Sequence, residues 1–501
     1  MLEERIVIIG AGIAGLTSAA LLAKAGQDVV VCESHYQSGG CAGTFKRGKY
    51  IFDVGATQVA GLENGGIHQR IFNYLSSPIP ECSLLDPVCI VDLDDGLDPI
   101  YIWHDQKKWE QERIKQFPNS KKFWDLCSNI HQTNWQFYLR DPVLPVRNLW
   151  DLGNCLNALG PRNLLFGLFI KSSVLDLLRF SNCANDTRLQ KFLDIQLKLY
   201  SQENCKNTAA LYGATVLQMG QSPHGLWHLQ GSMQELSNQL QQVIYKYGGK
   251  ILFNNKVEKL IFNRVNNQWD IHLKASNENH YELKAQDLIF TPPPQSLKNL
   301  LEVNNKIVRN YLKSIDDLNQ PSGAIVFYGA INREKIVNLN SSHYQILSDT
   351  YNSIFISISQ EGDGRAPFGE ATIIASIFTS VIDWFDLDKD NYLIQKQKTL
   401  NSITNILSDY FGLLTIDWNH RELATPRGFQ RWTNRPMGIV GGLGQSPDLF
   451  GPFGLSTRTD VHGLWLCGDS IHPGEGTAGV SQSAYMMSRQ ILKSRGINLN
   501  I

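Results

Sequence analysis

The chain has 501 residues, 43% of them hydrophobic and 19% charged, with a formal net charge of −1. That length exceeds one ordinary hydrophobic core and predicts two intertwined domains. The near-neutral balance supplies no basic face for a phosphate backbone, so nucleic acid is not an expected partner, and no run of about 18 uninterrupted apolar residues predicts a spanning helix.

Arg5–Gly10 reads as a strand, Gly15–Ala25 as a helix and Asp28–Glu33 as a second strand, a βαβ start. The apolar stretch Ile6–Leu22 follows Glu3, Glu4 and Arg5 and contains three glycines, which marks a strand–turn–helix and not a secretory segment. From about Val91 to Gly225 the chain is rich in Trp, Phe and Leu and poor in glycine. Within it Leu164–Phe180 has two readings: a buried lid helix, or a surface helix dipping into one lipid leaflet. Asn185–Tyr200 and Ser232–Tyr247 carry apolar residues at helical spacing.

From Lys250 the texture changes to short strands: Lys250–Phe253, Val257–Asn263, Trp269–Lys274 and Tyr281–Phe290, the last stopped by Thr291-Pro292-Pro293-Pro294. Asn304–Asp417 mixes strands (Gly323–Tyr328, Ser353–Ser359, Thr372–Phe378) with a helix over Tyr392–Phe411. Asp363, in Glu361-Gly362-Asp363-Gly364-Arg365, reads as an exposed turn. Leu464–Cys467 is an apolar strand before a glycine-rich turn and a helix over Val480–Ser494. Nine cysteines show no C-x-x-C pair; Cys32 and Cys467 sit in apolar runs as small core residues, which suits a reducing compartment.

Gly10-Ala11-Gly12-Ile13-Ala14-Gly15 follows a strand and opens a helix. Gly10 permits the tight turn, Gly12 lets backbone approach a pyrophosphate, and Gly15 lets helix and strand pack closely. The pyrophosphate is expected at the helix N-terminus, over Ile13 and Ala14. Glu33 ends the second strand 21 positions after Gly12, beside Ser34, where a carboxylate meets an adenosine ribose. Dinucleotide binding is the expectation.

Further on stand Gly39-Gly40-Cys41-Ala42-Gly43-Thr44-Phe45 and Phe52-Asp53-Val54-Gly55-Ala56-Thr57. At the other end come Leu464-Trp465-Leu466-Cys467-Gly468-Asp469-Ser470, then His472-Pro473-Gly474-Glu475-Gly476-Thr477-Ala478-Gly479-Val480. On these segments the sequence resembles the FAD-dependent amine oxidase and phytoene desaturase superfamily over its whole length. Many amine oxidases carry Arg after the paired glycine; Cys41-Ala42-Gly43 and the C-terminal segment look more like the carotenoid branch. Gly55–Leu62, Arg188–Tyr200 and Gly225–Met233 look most like a carotenoid 3',4'-desaturase.

The resemblance implies a glutathione-reductase-type, Rossmann-like α/β FAD domain (1–90, 225–303 and 425–501) and a discontinuous α+β substrate domain (91–224 and 304–424). It implies that Gly39, Gly40, Gly43, Gly55, Ala56 and Thr57 line the diphosphate and flavin, and that Gly468 and Asp469 hold the ribityl or diphosphate region. The N–H groups of Gly479 and Val480 would face the flavin pyrimidine, and Val257 would touch adenine. Desaturation needs hydride loss and then a weak base, for which Glu475 and His472 are candidates. A polyene needs an apolar tunnel, for which Trp135, Phe137, Tyr138, Trp150, Phe166 and Phe169 are available, although any helical core would contain them. The implied protein is cytoplasmic and peripherally membrane-associated, acts on a carotenoid and passes electrons to quinone or oxygen. A carotenoid cis–trans isomerase, another flavin oxidase such as an amine oxidase or retinol saturase, and a pigment-binding flavoprotein are the rival readings.

Overall fold

The computed structural model describes residues 5–316, 318, 322–337 and 339–501; Glu3 and Glu4 lie outside them. Five parallel strands form the central sheet, in the spatial order Lys250–Leu252, Val29–Cys32, Ile6–Ile9, Asp287–Phe290, Leu464–Leu466. The first strand, Ile-Val-Ile-Ile, is apolar at every position because both its faces are covered. Ile6 and Ile8 pack with the helices Ile13–Lys24, Gln234–Lys246 and Thr477–Ser494. Val7 and Ile9 pack with a three-stranded antiparallel layer (Asn255–Asn263, Gln268–Ala275, His280–Ala285) through Phe262, Trp269 and Ile271.

The stretch Tyr281–Phe290, expected as one strand, is two. His280–Ala285 belongs to the antiparallel layer and Asp287–Phe290 to the parallel sheet. The chain changes layers at Gln286, whose N–H donates to the Arg5 carbonyl at 2.9 Å. Apolar character is the same in both layers, so composition does not reveal the change.

A second sheet has seven strands, in the order Trp418–Ala424, Gly323–Asn332, Glu370–Thr379, Asn352–Ile358, His343–Ser348, Cys89–Asp92, Ile100–Ile102. Successive residues of Gly323–Asn332 serve opposite faces. Ile325 and Phe327 pack with Ile403 and Leu407 of the helix Lys389–Phe411. Ala324, Val326 and Tyr328 face the other way, towards Tyr50, Phe52 and Phe429. Between the two sheets runs a mostly helical segment that includes Lys121–Tyr138, Leu149–Ala158 and Thr187–Ser201. The stretch 164–180 divides: Val174, Leu177 and Leu178 are buried, whereas Leu164, Leu165, Leu168 and Phe180 are exposed.

A buried chain of charges ties a loop of the seven-stranded sheet to the elements beside it. Asp363 is 1% exposed, so it is not the exposed turn its glycine neighbours suggest. Its Oδ2 lies 2.8 Å from His228 Nε2 and accepts from Arg365 Nη1 at 3.0 Å. Arg365 Nε donates to Asp53 Oδ2 at 2.9 Å, and Asp53 Oδ1 accepts from the Met233 N–H at 2.9 Å. Arg365 Nη1 also donates to the Leu229 carbonyl at 2.9 Å. The loop of the seven-stranded sheet is thereby fastened to the strand Tyr50–Asp53 and to the start of the helix Gln234–Lys246. Removing one member of a buried ionic group strands the others, at about 3–5 kcal/mol. Arg365→Met is expected to lower the melting temperature accordingly, whereas an exposed pair such as Lys121–Asp125 should contribute about 0.5 kcal/mol or less on substitution. Equal effects in paired thermal melts would refute the assignment.

Candidate functional site

Gly10 has φ +96°, and a Cβ placed on Gly15 would lie 2.0 Å from the Gly10 carbonyl oxygen. The turn and the helix start therefore need glycine at both positions. The helix Ile13–Lys24 has no side-chain cap at Gly12, and its first bond, from Leu16 N–H to the Gly12 carbonyl, leaves the preceding amides without an intrahelical acceptor. Those amides and the dipole favour an anion. Glu33 is oriented by the Ala11 N–H on Oε2 (2.7 Å) and the His35 N–H on Oε1 (2.8 Å).

These groups open into one cavity of about 680 Å³. Its first half is lined by Gly10, Gly12, Ile13, Ala14, Glu33, Gly39, Gly40 and Gly43, then by Gly55, Ala56 and Thr57. Gly468, Asp469, Glu475 and Val480 close it from the other end of the sequence. The second half is walled by the seven-stranded sheet and the helix Thr187–Ser201, with Tyr200, Phe355, Ile377, Phe378 and Phe429 as its apolar lining. A run of small residues, free helix amides and a carboxylate at the strand end suit a long ligand with an anionic middle.

The C-terminal turn is built on close backbone approach. A Cβ on Gly442 would lie 2.0 Å from the Asp469 carbonyl oxygen, and one on Gly441 2.1 Å from Glu475 Oε2. Asp469 Oδ2 accepts from Arg435 Nη2 at 2.8 Å, and Arg435 also holds the carbonyls of Ile439 (2.7 Å) and Gly441 (2.6 Å). Burial opposes the Arg435 charge, but Asp469 and the groups around it raise its pKa on balance. Glu475 accepts from Gln202 Nε2 at 3.1 Å and from the Gly442 N–H at 3.4 Å. Burial first, and then the Asp469 charge, push the Glu475 carboxyl up to about 8, against the pull of Gln202, Gly442 and Arg435. At neutral pH this carboxyl holds its proton.

Gly15, Ser34, Val257, Gly479 and His472 are not on the cavity wall. Gly15 is under the turn. Ser34 shares a 2.8 Å hydrogen bond with Asn434. Val257 packs in the apolar layer with Val30 and Cys32. A Cβ on Gly479 would meet the Gly474 carbonyl oxygen at 2.4 Å, so this glycine is needed for packing. The Val480 N–H donates to the Gly476 carbonyl at 3.0 Å, because it is the amide that closes the first turn of Thr477–Ser494. Of the two amides, Gly479's has no intrahelical acceptor and Val480's does. His472 is buried away from the cavity, 2.9 Å from the Tyr138 hydroxyl and beside Phe450. Burial drops its pKa to about 3, so the ring is neutral. Sequence reading missed Arg435 and Gln202. The run Asn434-Arg435-Pro436-Met437-Gly438 marks a turn with a cation, but nothing local says that the cation meets Asp469.

The flavin containing amine oxidoreductase family matches residues 13–492. The chain is 25% identical over 540 residues to prolycopene isomerase 1, chloroplastic, of an Oncidium hybrid cultivar, covering 99% of this chain and 85% of that protein. It is 22% identical to all-trans-retinol 13,14-reductase of Danio rerio, covering 93% and 82%. It is also 22% identical to a 4,4'-diapophytoene desaturase (4,4'-diaponeurosporene-forming) of Staphylococcus haemolyticus, covering 97% and 98%. Cyclohexylamine oxidase from Brevibacterium oxydans superposes with TM-score 0.61 at 14% identity, over 98% of this chain and 100% of that one. The chain belongs to the flavin containing amine oxidoreductase family, its fold is the Rossmann-like α/β flavoprotein fold, and its cofactor is FAD.

A carboxyl raised in the fold stabilises the fold only while it keeps its proton. The contribution of Glu475 is fully present below its ordinary value of 4.5 and is lost as pH rises through about 8. In the apoprotein, Glu475→Gln is expected to match or trail the native chain in melting temperature at about pH 5 and to exceed it at about pH 9. Parallel curves for the two proteins would show that the carboxyl ionises freely.

Proposed function

We propose that this member of the flavin containing amine oxidoreductase family is a carotenoid 3',4'-desaturase, introducing a double bond into an apolar polyene. The observation that carries the reading is Glu475. It is a carboxyl tuned near neutrality at the edge of a cavity whose second half is apolar and aromatic. The likeness to a desaturase and an isomerase of carotenoids supports the substrate class. Bound FAD supplies two-electron chemistry by taking up hydride. The wall residues Tyr200, Phe355, Ile377 and Phe378 hold the polyene by apolar contact and exclude water. Loss of hydride from one carbon leaves a delocalised cation; the neighbouring C–H then gives its proton to Glu475 in the molecules where that carboxyl is ionised, and the double bond forms. A carboxyl with a pKa near 8 is a stronger base than an ordinary one once ionised, and a ready acid when it is not. His472, neutral and off the cavity wall, is left in a supporting place through Tyr138. Quinone or oxygen would take the electrons on.

The protonated state of Glu475 at neutral pH favours a second reading, a cis–trans isomerase in which the carboxyl donates its proton to the polyene and recovers it with no net redox change.

We also read the face around the helix Leu149–Ala158 as a lipid-docking surface. Leu149, Leu152 and Leu156 are exposed on one side of that helix, and Leu164, Leu165 and Leu168 are exposed just beyond it. From Val146 to Leu175 the one acidic residue, Asp151, is buried and Arg162 is exposed; Arg147 and Lys171 are exposed too, paired with Asp460 and Asp448. Clustered exposed leucines suit a bilayer surface. No helix among the described residues is long and apolar enough to cross a membrane.

Anaerobic incubation of the FAD-loaded protein with candidate carotenoids should bleach the flavin and yield a product lighter by two hydrogens; an isomer of unchanged mass would replace the first reading by the second. In either case Glu475→Gln should lower turnover by about 100-fold while FAD stays bound. The native chain is expected to float with phosphatidylglycerol vesicles, and a Leu149→Ser, Leu152→Ser, Leu156→Ser triple variant to remain in the soluble fraction. Flotation unaffected by the three changes would discard this face as the contact.

A further inference from the structure

The charges that line the cavity sort unequally. Arg47 is paired with Glu422 at 2.9 Å, and Arg435 with Asp469 at 2.8 Å. Glu33 is turned onto two backbone amides, and Glu475 holds its proton at neutral pH. Two cations remain, Lys198 and Lys396, and both lie on the cavity wall. Among the described residues neither has a carboxylate within ion-pair distance. Lys198 comes from the helix Thr187–Ser201, and Lys396 from the helix Lys389–Phe411 beside the seven-stranded sheet. Lys198 Nζ donates to the Gln202 carbonyl at 2.6 Å and lies 5.7 Å from the Phe378 ring centroid. An ammonium has three donors, so two remain for a ligand. Burial lowers the Lys198 pKa, against the more distant charges of Glu203 and Glu475.

An unmatched ammonium in an apolar wall is costly, and it opposes any positive charge that develops on a bound polyene. An anion on the ligand removes both penalties at once. We propose that Lys198 and Lys396 form the subsite for a carboxylate at one end of the polyene, so that the substrate class is an acidic polyene and not a pure hydrocarbon. The inference rests on reading this cavity as a polyene site, and it adds the end group. A carboxylate held at this wall would also fix the chain lengthwise, setting which carbon pair reaches Glu475 and the flavin.

The test uses two probes with the same polyene, all-trans-retinoate and all-trans-retinol, titrated into the FAD-loaded protein with the flavin oxidised and Trp fluorescence as the readout. The native protein should bind retinoate about tenfold or more tightly than retinol, the worth of about 1.4 kcal/mol from a charge-assisted contact. That preference should shrink as salt is raised, a result that needs no variant. Lys198→Met with Lys396→Met should abolish it, leaving retinol affinity and FAD affinity unchanged, and Lys198→Arg with Lys396→Arg should largely restore it. Equal affinity of the two probes for the native protein would overturn the proposal. So would a loss of FAD affinity in the double Met variant as large as the loss of retinoate affinity, because the lysines would then serve the cofactor. Conversion of a hydrocarbon carotenoid without any carboxylate preference would remove this inference and leave the polyene reading standing. A retinoate preference with no carotenoid conversion would do the reverse.

Discussion

Asp53 and Asp363 are both almost fully withdrawn from water, and the guanidinium of Arg365 between them makes that tolerable. Burial alone drives the Asp53 carboxyl upward, while Asp363 is held below the usual range once His228 and Arg365 offset its own desolvation. The geometry matters because of what each member belongs to. Asp53 precedes Val54-Gly55-Ala56-Thr57, the segment that runs into the cavity wall. Asp363 and Arg365 sit in the loop between the strands Asn352–Ile358 and Glu370–Thr379 of the seven-stranded sheet. The glycine-lined half and the sheet half of the cavity are therefore held in register by directional, charge-assisted contacts, which cannot slide as apolar layers can. The Thr57–Ser357 hydroxyl contact at 2.6 Å repeats the same junction one step nearer the cavity.

The parts of this design legible in the sequence are those whose cause is local. Gly10 and Gly15 are separated by one helical turn and touch each other, so the constraint that demands glycine is written within six residues. Strands with continuous apolar character and helices at 3.6 spacing are read in the same way. What escaped has distant partners. Asp363 meets a histidine 135 positions away, and Arg365 an aspartate 312 positions away, so a Gly-Asp-Gly-Arg run looks like any solvated turn. The glycine-rich approach to Val480 is legible in the sequence but the exact start of the helix is not, and one residue decides that the Val480 N–H is spent inside the helix. The exposed leucines of Leu149–Ala158 carry ordinary amphipathic spacing, and sequence alone does not say which side faces the core.

The C-terminal turn shows how one pair can set the state of a third group. Asp469 raises the Glu475 carboxyl more than its partner Arg435 lowers it, so the pair adds to the upward push of Glu475's own desolvation. Gly441 and Gly442 allow the backbone to close over that carboxyl, and Gln202 supplies it with a neutral donor where a cation would have kept it ionised. A lysine in place of Gln202 would keep the site fully charged and leave no proton to exchange near neutrality. The arrangement selects a carboxyl that can be either acid or base.

That choice constrains the other end of the cavity. In the proposed reaction a neutral Glu475 would offer no counter-charge to a cation forming on a polyene, and the two unmatched lysines on the wall would make such a cation harder to form. The cavity therefore cannot stabilise positive charge by itself while empty of an anion. Ionisation of Glu475 is one remedy, available to the fraction of molecules that have lost the proton. An anionic group carried in by the ligand is another, and it acts in every molecule that binds. The two remedies sit at different places along the cavity, one at the turn that follows Asp469 and one against the seven-stranded sheet. A ligand bearing its own anion would thus leave Glu475 free to move a proton, with the task of balancing charge given to the opposite wall.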